Sequence, residues 1–217
     1  MTLRSFCFAA ALLCGVPAAP AQPCCGPIAP EGRALAAFLD HSGVEHLWRS
    51  GWRVDWRTGR IDRPAPGGPE AKTHCSAFVA AIAERLGVYI LRPPQHPQEL
   101  LANAQMRWLV DRGAAAGWRP VATAVLAQSL ANRGFLVVAA FINPNPHKPG
   151  HIAILRPSEK SLAALDRDGP DETQAGATND LSVPLRIGFR HHPGAWPPGG
   201  SDAVRFFAHK VTRWPAS

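Results

Sequence analysis

The chain has 217 residues, 22 prolines, 19 glycines and a formal charge of +7. That length suits one ordinary domain, and the prolines and glycines are scattered, which argues against repeats or a long disordered tail. Lysine and arginine form no cluster, so the charge carries no nucleic-acid footprint; it serves solubility or attraction to an acidic polymer such as cell wall. No cysteine pair has the spacing of a structural zinc site, and neither metal nor cofactor is expected.

The first segment reads as an export signal. Arg4 supplies the positive start, Phe6 to Val16 is an apolar or small-residue run, and Ala19-Pro20-Ala21 offers a small-x-small cleavage site. The run is shorter than the roughly 20 residues of a spanning helix, and no later segment is longer. The expected division is a signal peptide over residues 1–21 and one domain over 22–217, exported to the periplasm or beyond. Cleavage removes Cys7 and Cys14 and leaves Cys24, Cys25 and Cys75. An odd count in an exported chain suggests a free thiol or a bond between chains. Neighbouring Cys24 and Cys25 are not expected to bridge each other, and their segment is expected to be mobile. The oligomeric state stays open.

Residues 30–43 predict a helix with Leu35, Phe38 and Leu39 on one side and Gly43 as its stop. Trp48, Trp52 and Trp56 follow at four-residue spacing, interrupted by Gly51. Residues 60–72 read as a proline-glycine loop. A helix is expected from Cys75 to Leu86, with Thr73 as N-cap and Gly87 as terminator. Its apolar face carries Cys75, Val79, Ile82 and Leu86. Residues 97–113 and 120–134 predict two more helices. The period then changes: residues 135–142, "FLVVAAFI", predict a buried strand. "NPNPHKPG" is a turn, and "HIAILRP" a second strand starting at His151. Residues 158–172 read as a loop or short hairpin, "TQAGATN" as holding a third short strand, and "AVRFFAHKV" as the last. Helices first and strands later predict an α+β fold with a mostly antiparallel sheet.

Cys75 opens its helix, where unpaired N–H groups and the helix dipole favour a thiolate. The expected consequence is a thiol of lowered pKa. His151, exposed at a strand start by the preceding Pro149-Gly150, is the candidate base. A packing cysteine and a loop histidine are the competing structural readings of the same residues.

"HCSAFVAAI", then "NRGFLVVAAFINPNPHKPGHIAILRP", then "TQAGATN", resembles the papain-like cysteine hydrolases of the bacterial cell wall, the NlpC-type endopeptidases and CHAP amidases. The resemblance spans residues 75 to about 209. It implies a papain-like fold with N-terminal helices packed on the sheet. It also implies hydrolysis of an amide bond in peptidoglycan peptides through a thioester. Cys75 matches the nucleophile, Ser76 the residue after it, and His151 the base. The third member, which orients the imidazole, would be Gln174 or Asn179, with Gln174 favoured. His74 stands where those families often carry aspartate.

His74 and Trp56 are candidate substrate contacts, although a tryptophan series is more often core. His191, His192 and His147 are not expected to hold a metal. Gln128 and Asn132 are read as solvated or capping groups, and His209 as structural. Two further readings stay open: a secreted Cys-His hydrolase or toxin acting on a protein, and a non-catalytic wall-binding module.

Overall fold

The computed structural model describes residues 23–65, 73–196 and 203–214. The expected signal peptide lies outside the described residues, as do residues 66–72 of the expected loop. No helix among the described residues is long and apolar enough to cross a membrane.

The fold is α+β and its main sheet is wholly antiparallel. Helix α1 (Pro30–Asp40) leads into a two-stranded ribbon, β1 (Trp52–Val54) and β2 (Ile61–Pro64). Helices α2 (Cys75–Arg85) and α3 (Leu101–Asp111) follow, then β3 (Arg119–Val121) and α4 (Ala124–Asn132). The second half holds β4 (Leu136–Phe141), β5 (His151–Leu155), α5 (Leu162–Asp168), β6 (Asp171–Gln174), β7 (Asp180–Pro184), α6 (Leu185–Gly188) and β8 (Arg205–His209). The six-stranded order is β3-β8-β4-β5-β6-β7.

β4 explains why both faces of this sheet are covered. All six of its residues are buried. Leu136, Val138 and Ala140 join a core with α1, α2 and α3, whereas Val137, Ala139 and Phe141 join a second core with α4 and α6. A strand apolar at both parities must be covered on both sides. Helices therefore sandwich the sheet.

Helix α2 is central. Cys75 to Ala83, nine consecutive residues, are buried, so the expected single apolar face is in fact a helix apolar all round. Four alanines let neighbours approach from every side. His74, not Thr73, is the N-cap, and its side chain makes no capping bond. Gly87 ends the helix with φ +68°, a conformation that favours glycine.

Several expectations change. Residues 61–64 of the expected loop pair with β1, and residues 119–121, which overlap the start of the helix expected over 120–134, form β3. Residues 162–168 form α5, capped by Ser161 Oγ accepting from the Ala164 amide. Cys24 and Cys25 do form a disulfide, contrary to expectation. Their segment is also fixed: the Cys24 amide donates to Lys160 O, and Pro23 bridges to Ser161. Gln128 and Asn132 are not solvated. Asn132 Nδ2 donates to Gly26 O and Ser158 O, while its Oδ1 accepts from Gln128 Nε2 and the Ser158 amide. One buried amide thus ties the N-terminal segment to the chain leaving β5.

Candidate active site

The turn between β4 and β5 sets the position of His151. Asn103 Nδ2 donates to Lys148 O, and its Oδ1 accepts from the Asn143 amide. Asn143 and Asn145 accept from the amides of Asn145 and His147, which closes the turn through side chains. A Cβ at Gly150 would strike the Phe141 carbonyl and Asn103 Oδ1, so only glycine lets the chain pass here. His151 is consequently the first residue of β5, opposite Phe141.

The His151 ring is buried and held on three sides. Its Nε2 lies 2.6 Å from Gln174 Oε1. Phe189 meets it in a T-shaped arrangement at a centroid distance of 4.6 Å, and His192 stacks on it at 5.1 Å with 19° between planes. Gln174 Nε2 donates to Asp180 Oδ2 at 2.8 Å. That bond fixes the orientation of the amide: its NH2 faces the carboxylate, so its oxygen faces the ring. An oxygen there accepts, which places the hydrogen on His151 Nε2 and leaves Nδ1 as the basic nitrogen. Burial, then the neighbouring His192, push the His151 pKa down to about 3, against a smaller upward effect of Gln174. The ring is neutral at pH 7.

Cys75 lies on the other core of the sheet, against the start of the same strand. The amides of Ile152, the residue after His151, and of Ser76 and Cys75, together with the Ser76 hydroxyl, act on the sulfur in the direction that favours its charged form. β5 pairs with β6 only through Ile154 and Leu155, which leaves the start of β5 open to the helix N-terminus. These donors stabilise a thiolate, yet burial outweighs them and pushes the thiol up to about 11. The expectation of a lowered pKa is corrected: the resting pair is neutral thiol and neutral imidazole. No hydrogen bond joins Cys75 to His151 among the described residues.

A cleft of about 720 Å³ opens beside the ring. His151, Gln174, Gly176, Asn179 and His192 line it, and Arg49, Arg190 and His191 face a single open carboxylate, Glu45. Asn179 does not reach the imidazole. Its Nδ2 donates to Val44 O and Leu47 O, and its Oδ1 accepts from the Gly176 amide. It clamps the 44–50 turn as one wall of the cleft. Trp48, buried beneath that turn with φ +51°, donates from Nε1 to Trp56 O. A bulky residue at positive φ persists only where its surroundings force it, and this one turns Arg49 and Ser50 toward the cleft.

The two candidate substrate contacts fall elsewhere. His74 is 1% exposed and its Nε2 lies 2.8 Å from Trp52 O, so it ties α2 to the ribbon rather than facing the cleft. Trp56 is half-buried beside Arg57 and Arg92, outside the cleft lining. His209 is structural as expected, bonding Ala116 O. Sequence reasoning missed Asp180, Phe189 and His192. Gln174 and Asp180 flank the short turn "AGATN" and are register partners across it, so reading that turn as a hairpin would have paired them.

Compared with known proteins, the chain matches no family model, and no curated protein is significantly similar to it in sequence.

Proposed function

We propose that this protein is an exported cysteine amidase or endopeptidase of papain-like fold that hydrolyses amide bonds of peptidoglycan peptides. The observation that carries the reading is the chain Asp180–Gln174–His151, with Cys75 at the start of the helix packed against the strand that this histidine opens. An oriented imidazole at the start of β5 and a thiol at the N-terminus of the helix packed on that strand supply the base and the nucleophile that such catalysis requires, once substrate brings them together. The cationic cleft walls favour an acidic peptide.

In this reading the Cys75 S–H gives its proton to His151 Nδ1 as sulfur attacks the substrate carbonyl. Bound substrate draws the sulfur out of its buried resting place and brings it to the ring. The tetrahedral oxyanion then takes the Cys75 and Ser76 amides. Collapse breaks the C–N bond, and His151 returns the proton to the departing amine. Water, deprotonated by His151, cleaves the thioester, releasing the carboxylic acid and restoring the thiol.

The test is incubation of purified protein with peptidoglycan, followed by mass analysis of released fragments. The expected result is new peptide ends with the wild-type chain and none with Cys75→Ala or His151→Ala. Wild type that releases nothing overturns the reading. A second reading, a non-catalytic wall-binding module, is favoured by the burial of the Cys75 sulfur; sedimentation with peptidoglycan without fragment release would support it.

A further inference from the structure

We propose that His192 is a positioning residue for the base: its imidazole, stacked on that of His151, locks the ring plane that keeps Nε2 on Gln174 and Nδ1 free. The inference rests on the assignment of His151 as the base, and extends it to a residue outside the Cys-His-Gln set.

The geometry is specific. A single hydrogen bond to Gln174 leaves an imidazole free to rock about that bond. His192, 19° from parallel, opposes rocking out of the ring plane, and Phe189, at 80° to the imidazole and 6.4 Å from His192, packs beside the same ring rather than on its opposite face. The chain builds this support locally. Below it, Gly188 passes so close to β6 that a Cβ would strike Glu172 Oε1. The His192 amide then donates to Phe189 O and the Ala195 amide to His192 O, a turn that sets the second imidazole against the first. Phe141 of β4 closes the far side at 5.7 Å.

A phenyl ring would stack as well, so a histidine here adds something more. Two imidazolium ions 5 Å apart repel, so His192 also opposes protonation of the base. Most of the other groups facing the pair act in the same direction or are neutralised, and exposed Glu45 alone acts against them. His191 and Arg190 come from the same segment, and Arg49 from the opposite wall. Glu45 is the single open carboxylate of the cleft. On β6 and β7, Asp180 is engaged by Gln174, and Glu172 is held protonated by burial. The base therefore stays unprotonated in an acidic medium, where an unshielded histidine would lose activity.

The experiment compares the full chain with His192→Ala and His192→Phe by NMR of ¹⁵N-histidine-labelled protein, and measures kcat and KM on peptidoglycan peptides. In wild type, the proton on His151 Nε2 gives a protected signal through its bond to Gln174. His192→Ala is expected to lose that signal to exchange and to lower kcat about tenfold, the size of one misplaced hydrogen bond, with KM little changed. His192→Phe is expected to restore the signal and most of kcat, while the His151 titration midpoint rises because the neighbouring charge is gone. An alanine variant that keeps the signal and kcat, or a phenylalanine variant no better than alanine, overturns the proposal. Should His192→Ala fail to fold, an unchanged His151 midpoint in His192→Phe overturns it alone. The NMR arm needs no turnover, so absence of hydrolysis would defeat the proposed function without deciding this one.

Discussion

Asp180 and Gln174 face each other across the β6–β7 turn, and the carboxylate decides which end of the amide the histidine meets. With Nε2 donating to Asp180, Gln174 can offer only its oxygen to His151. An asparagine at 180 could accept or donate, and the amide would no longer have one orientation. Asp180→Asn and Gln174→Ala should each lower kcat/KM about tenfold, the worth of roughly one hydrogen bond. The double variant should lose little more than either single one, because both act through the same ring. Fully additive losses in a double-mutant cycle would show that Asp180 acts independently of the imidazole.

The neutral thiol and neutral imidazole set the pH behaviour. Cys75 is pushed up to about 11, so its alkylation by iodoacetamide should be slow at pH 7 and climb through the alkaline range. His151 is pushed down to about 3, so the acid limb of kcat/KM should lie well below the ordinary histidine value of about 6.5. Rapid alkylation at pH 6, with an acid limb near 6.5, would instead indicate a preformed thiolate–imidazolium pair.

Much of this was legible in the sequence, for identifiable reasons. The long α2 run, the apolar β4 and the Pro149-Gly150-His151 entry to β5 each carry their signal within a dozen residues. α5 was not legible, because its seven residues sit among loop-like neighbours. β3 was absorbed into the helix that follows it. Gln174 is legible because the "TQAG" stretch passes from polar to apolar, the pattern of a short strand able to lie beside β5. His192 reaches the site only because β7 and α6 fold back over β6, a relationship that spacing along the chain does not record. The Cys24–Cys25 bond is not legible because neighbouring cysteines rarely close on each other, and the local backbone here lets them do so.

Glu172 gives a stability prediction whose sign can be worked out. It is fully buried, and neither carboxyl oxygen has a partner. Burial, then Asp180, raise its pKa well above the usual value of about 4.5. The folded state keeps a proton that the unfolded state loses above that value. The stability contribution is therefore complete below about pH 4.5 and is lost as pH rises through the folded pKa, by at most about 1.4 kcal/mol per pH unit. The depressed histidines His151 and His192 add an opposite trend, complete by about pH 6.5. As pH rises above about 4.5 the Tm of wild type should fall relative to that of Glu172→Gln, the histidine trend being common to both. Parallel profiles would mean that Glu172 is ionised in the native protein.

Asn179 distinguishes an orienting residue from an architectural one. Its amide is engaged with Val44 O, Leu47 O and the Gly176 amide, and none of these is the imidazole. Asn179→Ala would leave the two carbonyls of the 44–50 turn without their donor and free the wall that carries Arg49. An unpaired, partly buried carbonyl costs about 1–3 kcal/mol, so the turn should loosen while the base keeps its bond to Gln174. The expected outcome is a rise in KM for an acidic peptide with kcat held near wild type, the reverse of the pattern for Gln174→Ala. A fall in kcat with unchanged KM would place Asn179 on the imidazole in the working complex and remove Gln174 from that role.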